Sequence, residues 1–155
     1  MTRSSARPHV GVIGASACDG ATAARAEEVG RLIARRGAVL VCGGMGGVME
    51  AACRGALGAG GLMVGILPGA ERGAANEFVD IAIATGLGEA RNLAIIRTSD
   101  VLVAVAGSHG TLSEIGFALR MGKTVVGLGT WDVAGVTPAD SPAAAVELAF
   151  RVLPR

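Results

Sequence analysis

The stretch His9-Val10-Gly11-Val12-Ile13-Gly14, followed by Ala15-Ser16-Ala17-Cys18-Asp19-Gly20, decides the fold. A short apolar run that breaks into turn-forming residues reads as a buried strand leading into a loop. Residues 21–36 then read as a helix, with Ala24, Val29, Leu32 and Ile33 apolar and Arg25, Glu28, Arg31 and Arg35 charged, closed by Gly37 as a C-cap. The same unit recurs down the chain. Strands are expected over 38–42, 62–67, 78–84, 100–105 and 124–128, and helices over 48–59, 89–98, 111–121 and 141–153. Strictly alternating strands and helices predict an α/β, three-layer Rossmann-like fold, a mostly parallel sheet flanked by helices joined by right-handed crossovers. Residues 1–8 read as a disordered basic leader and 9–155 as a single domain.

Composition agrees. Of the 155 residues, 51% are hydrophobic and 17% charged, with 25 glycines, a pattern that excludes disorder and suits strands buried on both faces. A formal net charge of +1 gives no general pull toward nucleic acid or an anionic membrane. Three Phe, one Trp and no Tyr leave no stacking platform for single strands, so no nucleic acid partner is expected. Cys18, Cys42 and Cys53 form neither a disulfide framework nor a zinc pattern, which fits a reducing cytoplasm, and no metal site is expected. No apolar run reaches the length of a membrane span, and no signal peptide is read at the N-terminus.

Three loops follow a strand and precede a helix: residues 14–20, 43–47 and 107–111. In a parallel sheet all three lie at the carboxyl edge, where ligands bind. Glycine allows close approach of the backbone, and a helix N-terminus offers free N–H donors and a positive dipole end, so phosphate is the expected guest. The candidate contacts are Gly14, Ser16, Gly43, Gly44, Gly46, Gly47, Gly107, Ser108, His109, Gly110 and Thr111. Two familiar motifs fail. The first loop lacks G-x-G-x-x-G, and the second strand ends at Cys42-Gly43 without a ribose-binding carboxylate. Gly122-Lys123-Thr124 resembles a P-loop tail, but Phe117 stands where its glycine belongs and the segment runs from helix into strand.

Two residues carry candidate chemistry. Thr111-Leu112-Ser113-Glu114 either caps a helix, Glu114 bonding back to Thr111, or presents the Glu114 carboxylate to a ligand. Arg91 sits near a helix start, against the preference of the macrodipole, which points either to an anionic ligand or to a solvated surface cation. Trp131 follows the 124–128 strand at the same edge, where its indole covers a ligand ring, packs in the core or meets another subunit.

The segments Gly43-Gly44-Met45-Gly46-Gly47-Val48-Met49-Glu50, Ala90-Arg91-Asn92 and Gly107-Ser108-His109-Gly110-Thr111-Leu112-Ser113-Glu114, in this order, resemble the Lonely Guy-like (SLOG) superfamily. That group includes cytokinin-activating phosphoribohydrolases, molybdenum-cofactor carrier proteins and relatives of a DNA-processing protein, and its members often carry a misleading lysine decarboxylase label. Within it the chain is most similar to the short bacterial branch related to the carriers. The phosphoribohydrolases show an Arg-Lys pair and P-G-G-x-G-T-x-E-E; here Asn92 follows Arg91, and Ala106, Ser108 and Ser113 replace the Pro, the second Gly and the first Glu. The resemblance implies that Gly110 and Thr111 hold phosphate, that Arg91 orients the ligand, and that Glu114 faces a ribose and assists loss of the base. It also implies a homo-oligomer, dimer or tetramer.

The expected function is therefore binding or carriage of a phosphorylated heterocycle, a nucleoside monophosphate or a molybdopterin-type cofactor, with no further cofactor required. The alternative is a nucleoside 5′-monophosphate phosphoribohydrolase using Arg91 and Glu114. A DNA-binding adaptor is disfavoured by the near-neutral charge.

Overall fold

The computed structural model describes residues 6–154. They form seven parallel strands in the order β4-β3-β2-β1-β5-β6-β7. The strands are β1 (His9–Gly14), β2 (Val39–Cys42), β3 (Leu62–Leu67), β4 (Ile81–Ala84), β5 (Val101–Val105), β6 (Val125–Leu128) and β7 (Val136–Ala139). Helices α1 (Gly20–Arg35), α2 (Val48–Gly58), α3 (Arg91–Thr98), α4 (His109–Arg120) and α5 (Pro142–Arg151) alternate with them. The expected Rossmann-like architecture is present, and the sheet is parallel throughout. Helices α1, α2 and α5 pack on one face, over Val10, Val12, Leu40 and Val103. Helices α3 and α4 pack on the other, over Ile13, Val41, Leu102 and Ala104.

After β1 the chain steps outward through β2, β3 and β4, then returns to lay β5 on the opposite side of β1, with Gly14 opposite Val105 at the carboxyl end. Strand order reverses there, so a crevice opens between the loops leaving β1 and β5.

Glycine lets the α1–α2 layer close. A Cβ on Gly30 would run into the backbone of Ala52, and one on Gly55 into the backbone of Glu27. These helices therefore touch through their main chains, at the close end of helix–helix separations.

The structure departs from the sequence reading in four places. Strand β7, Val136-Thr137-Pro138-Ala139, was not expected; as an edge strand paired only with β6 it tolerates the donor that its proline lacks. Strand β4 begins at Ile81 rather than Phe78, because the Asn76 side chain accepts from the Phe78 N–H in a turn. The 89–98 helix is split into a 3-10 turn, Gly88–Ala90, and α3. Helix α4 starts two residues early, at His109. Residues 1–5 of the proposed leader lie outside the described residues; Arg7 Nε donates to the Gly37 carbonyl at 2.9 Å, and the Pro8 carbonyl accepts from the Val39 N–H at 2.8 Å. Among the described residues no helix is long and apolar enough to cross a membrane.

Replacing Gly55 with Val forces α1 and α2 apart. Urea denaturation is expected to show a lower midpoint at unchanged slope, a loss of about 2–3 kcal/mol.

Candidate functional site

The crevice at the β1/β5 switch is a cleft of about 700 Å³, its open mouth included. Its walls come from the loop after β1 (Gly14, Ala15, Ser16), the end of β2 (Gly43), α2 (Met49), the start of α3 (Arg91, Asn92, Ile95) and the start of α4 (Ser108, Gly110, Thr111, Glu114), with Glu89 at one side. Gly14, Ser16, Gly43, Arg91, Ser108, Gly110, Thr111 and Glu114 are thus brought together. Gly44, Gly46, Gly47, Gly107 and His109 do not line it.

Those five have other surroundings. Gly44 has a positive φ of 72°, its N–H donates to Cys42 Sγ at 3.3 Å, and its carbonyl accepts from the Asn76 N–H. A side chain on Gly47 would collide with the Ala15–Ser16 backbone, and the Val48 N–H donates to the Ala15 carbonyl at 2.9 Å; these contacts join the first two loops. Gly46 lies against the same Ser16 carbonyl. Gly107 turns with φ 109°, pressed against Thr111. The His109 ring lies 5.5 Å from that of Trp131.

Each helix N-terminus at this edge is satisfied differently. At α1 the Asp19 carboxylate caps the helix, accepting from the Thr22 N–H at 2.8 Å, so a negative charge already occupies that end. At α2 the Val48 N–H is taken by Ala15. At α4 the N-cap, Ser108, makes no side-chain bond to the helix. No side chain among the described residues caps the first-turn N–H groups of α4, an arrangement able to meet an anion.

The capping-box reading of Thr111 and Glu114 is overturned. With the N-cap at Ser108, Thr111 sits inside the first turn, 3% exposed, and Glu114 lies in the second turn, too far along to reach back to the cap. Glu114 instead faces Arg91 across the cleft. Burial pushes its carboxyl up to about 7, and the nearby Arg91 charge only partly opposes this.

Arg91 is half-buried. Its Nη1 donates to the Ile66 carbonyl at 3.2 Å, while its buried Nε has no partner among the described residues. The guanidinium lies in the space a Cβ on Gly43 would fill. Desolvation pulls its pKa down, against the pull of Glu114 and Cys42, yet it is far from giving up its proton near neutrality. The arrangement offers one fixed cation, a row of free N–H donors and a carboxyl group that is largely protonated at slightly acid pH.

The sequence reading missed Asn76, whose side-chain Nδ2 donates to the Met45 carbonyl at 2.8 Å and so ties down the second glycine loop. Its only signal was an Asn in a turn-rich segment. Met49 and Asn92 were also overlooked as cleft walls, although both stand within the quoted motifs. Cys42 and Cys53 are buried free thiols with sulfurs 3.6 Å apart beneath the glycine loop, and Cys18 is also free.

A more apolar recess between α3 and α4 is lined by Ala90, Leu93 and Phe117 and shares Glu89, Asn92, Gly110 and Glu114 with the cleft. Among the described residues no group of three or more His, Cys, Asp or Glu is placed to hold a metal ion.

The titration of Glu114 is open to test. The folded protein holds this proton to higher pH than an unfolded carboxyl does. Its stabilising contribution is thus complete below about pH 4.5 and lost as pH rises through about 7. Wild-type protein should lose melting temperature relative to Glu114→Gln across that window, whereas equal slopes would contradict the burial argument.

The chain resembles several known proteins. An uncharacterised protein of Archaeoglobus fulgidus is 52% identical over 119 residues, covering 77% of this chain and 78% of its own length. The structure of the molybdenum cofactor binding protein of the phototrophic bacterium Rippkaea orientalis superposes with a TM-score of 0.91 at 38% identity, over 96% of this chain and 99% of that one. The Moco carrier protein of Chlamydomonas reinhardtii superposes with a TM-score of 0.84 at 36% identity, over 95% of this chain and 98% of that one. Residues 7–149 match the SLOG cluster4 family, and the chain belongs to that family.

Proposed function

We propose that this protein binds and carries a phosphorylated heterocycle, and that a molybdopterin-type cofactor is its cargo. The observation that carries the reading is the pairing of Arg91, with its partnerless Nε, and the uncapped α4 N-terminus on one cleft. Both favour an anion of phosphate geometry, one through charge and the other through aligned N–H donors. Glu114 supports it as well. Its raised pKa keeps much of the carboxyl uncharged near neutrality, so Arg91 is neutralised by its neighbour only in part. The recess beside the cleft, with Leu93 and Phe117, suits a flat ring joined to that phosphate. The similarity to a molybdenum cofactor binding protein and a Moco carrier protein, at 36–38% identity over nearly the whole chain, favours a pterin ring over a purine.

A second reading, nucleoside 5′-monophosphate phosphoribohydrolase, is favoured by one observation. Arg91 and Glu114 face the same space, and a carboxyl titrating near 7 suits proton transfer to a departing base. In that reaction Arg91 would hold the phosphate while Glu114 stabilises the ribosyl cation or protonates the leaving nitrogen, and water would complete hydrolysis. Against it stand Asn92, Ser108 and Ser113, where the hydrolytic enzymes have other residues.

Assembly as a homo-oligomer belongs to the same proposal. It is supported by the exposed apolar side chains Leu87 and Phe117, 61% and 42% accessible. Light scattering that gave the mass of one chain would remove that part.

One experiment separates the readings. The protein is incubated with AMP, GMP, CMP and a molybdopterin-type ligand, while melting temperature and released base are both followed. Carriage predicts stabilisation by the pterin ligand without base release. It also predicts that Arg91→Ala weakens binding by about tenfold or more, as loss of a charge-assisted contact requires. Base release abolished by Glu114→Gln would establish the hydrolase instead. Neither stabilisation nor release would refute both.

A further inference from the structure

The loop that presents the α4 N-terminus is held in an unfavourable conformation. Ala106 has φ 49°, the only positive φ at a non-glycine among the described residues, and Gly107 follows at 109°. Such a backbone costs free energy and persists only where its surroundings impose it. The contacts that impose it come from outside the cleft. From the segment after β6, the Thr130 hydroxyl donates to the Ala106 carbonyl at 2.6 Å, and Trp131 Nε1 donates to the Ser108 carbonyl at 2.9 Å. The Trp131 ring also lies against His109. Two side chains adjacent in sequence thus grip the carbonyls on either side of Gly107.

In a trans peptide, the N–H points opposite to the C=O. Drawing the Ala106 and Ser108 carbonyls toward the β6 loop therefore turns the N–H groups of Gly107 and His109 away from that loop. Neither Thr130 nor Trp131 lines the cleft, whereas Ser108, Gly110 and Thr111 do. We infer that Thr130 and Trp131 are positioning residues: they clamp the Ala106–Ser108 turn and with it the start of α4, whose Gly110 and Thr111 line the cleft, so that the free N–H donors there are preset for a phosphate group. The inference rests on the phosphate-binding reading above, and it assigns to the segment after β6 a role in affinity rather than in contact with the ligand. It also gives Trp131 a place: its indole stands behind the loop, partly exposed, and packs against the edge of the core cluster that holds Ile115 and Ala118.

Inorganic phosphate is the probe, since it is the group common to pterin and nucleotide ligands. Binding is measured by titration of backbone amide resonances, at a temperature well below the melting point of every variant. Thr130→Val removes the hydroxyl at equal volume, and Trp131→Phe removes the indole N–H but keeps a ring; Thr130→Ser restores the hydroxyl. The expected result is a Kd raised about tenfold or more in Thr130→Val and Trp131→Phe, with Thr130→Ser within about twofold of wild type. A structural role alone would lower the melting temperature and leave Kd unchanged. Wild-type affinity in both disrupting variants overturns the inference while leaving the binding reading intact. Equal weakening by Thr130→Ser and Thr130→Val overturns it too, because the hydroxyl bond would not be the cause. If the wild-type protein binds no phosphate, the binding reading falls first and the inference with it.

Discussion

A parallel strand cannot be reached by a tight turn; the chain must cross the whole sheet before it can lay the next strand alongside. Seven parallel strands therefore place every strand's carboxyl end at one edge, and every return helix begins there. The cleft is a consequence of that constraint. It needs only one reversal of strand order, here between β1 and β5, for two neighbouring loops to diverge and leave room for a ligand. Glycine at Gly14, Gly43 and Gly47 then lets the loops close on one another without side chains filling the space.

Within that edge, the N-termini of α1, α2 and α4 are unequal. Asp19 supplies α1 with its own anion, and Ala15 takes a donor from α2. Helix α4 meets the cleft uncapped by a side chain, and it does so from a turn whose conformation is unfavourable by itself. Free donors, a partly buried guanidinium with an unsatisfied nitrogen and a carboxyl driven toward neutrality all have a cost in the empty protein. Their concentration in one cleft, while the rest of the core is apolar apart from Ser99, whose hydroxyl donates to the Ile95 carbonyl, is what supports it as the proposed functional centre.

The departures at the candidate site share one cause: each depended on contacts that form only in the folded chain. Thr111-Leu112-Ser113-Glu114 has the spacing of a cap, yet the helix begins at His109, where the turn after β5 delivers it. Arg91 looked ill-placed at a helix start, and the reason lies 25 residues earlier in the Ile66 carbonyl and 48 earlier in the bare Cα of Gly43. Thr130 carried no signal at all, since one threonine beyond a strand is unremarkable until the Ala106 carbonyl is seen against it.

The sequence alone determined the class of fold, the strands β1, β2, β3, β5 and β6, and the edge at which a ligand would be met. Those follow from apolar runs, their spacing and the turn residues between them, all of which act over a few neighbouring residues. Tertiary structure alone decided which glycines open the cleft and which only pack, that Glu114 is a buried acid rather than a cap, and that the segment after β6 stands behind the Ala106–Ser108 turn. These depend on desolvation and on hydrogen bonds between segments far apart in the chain, and such contacts exist only once the sheet has assembled.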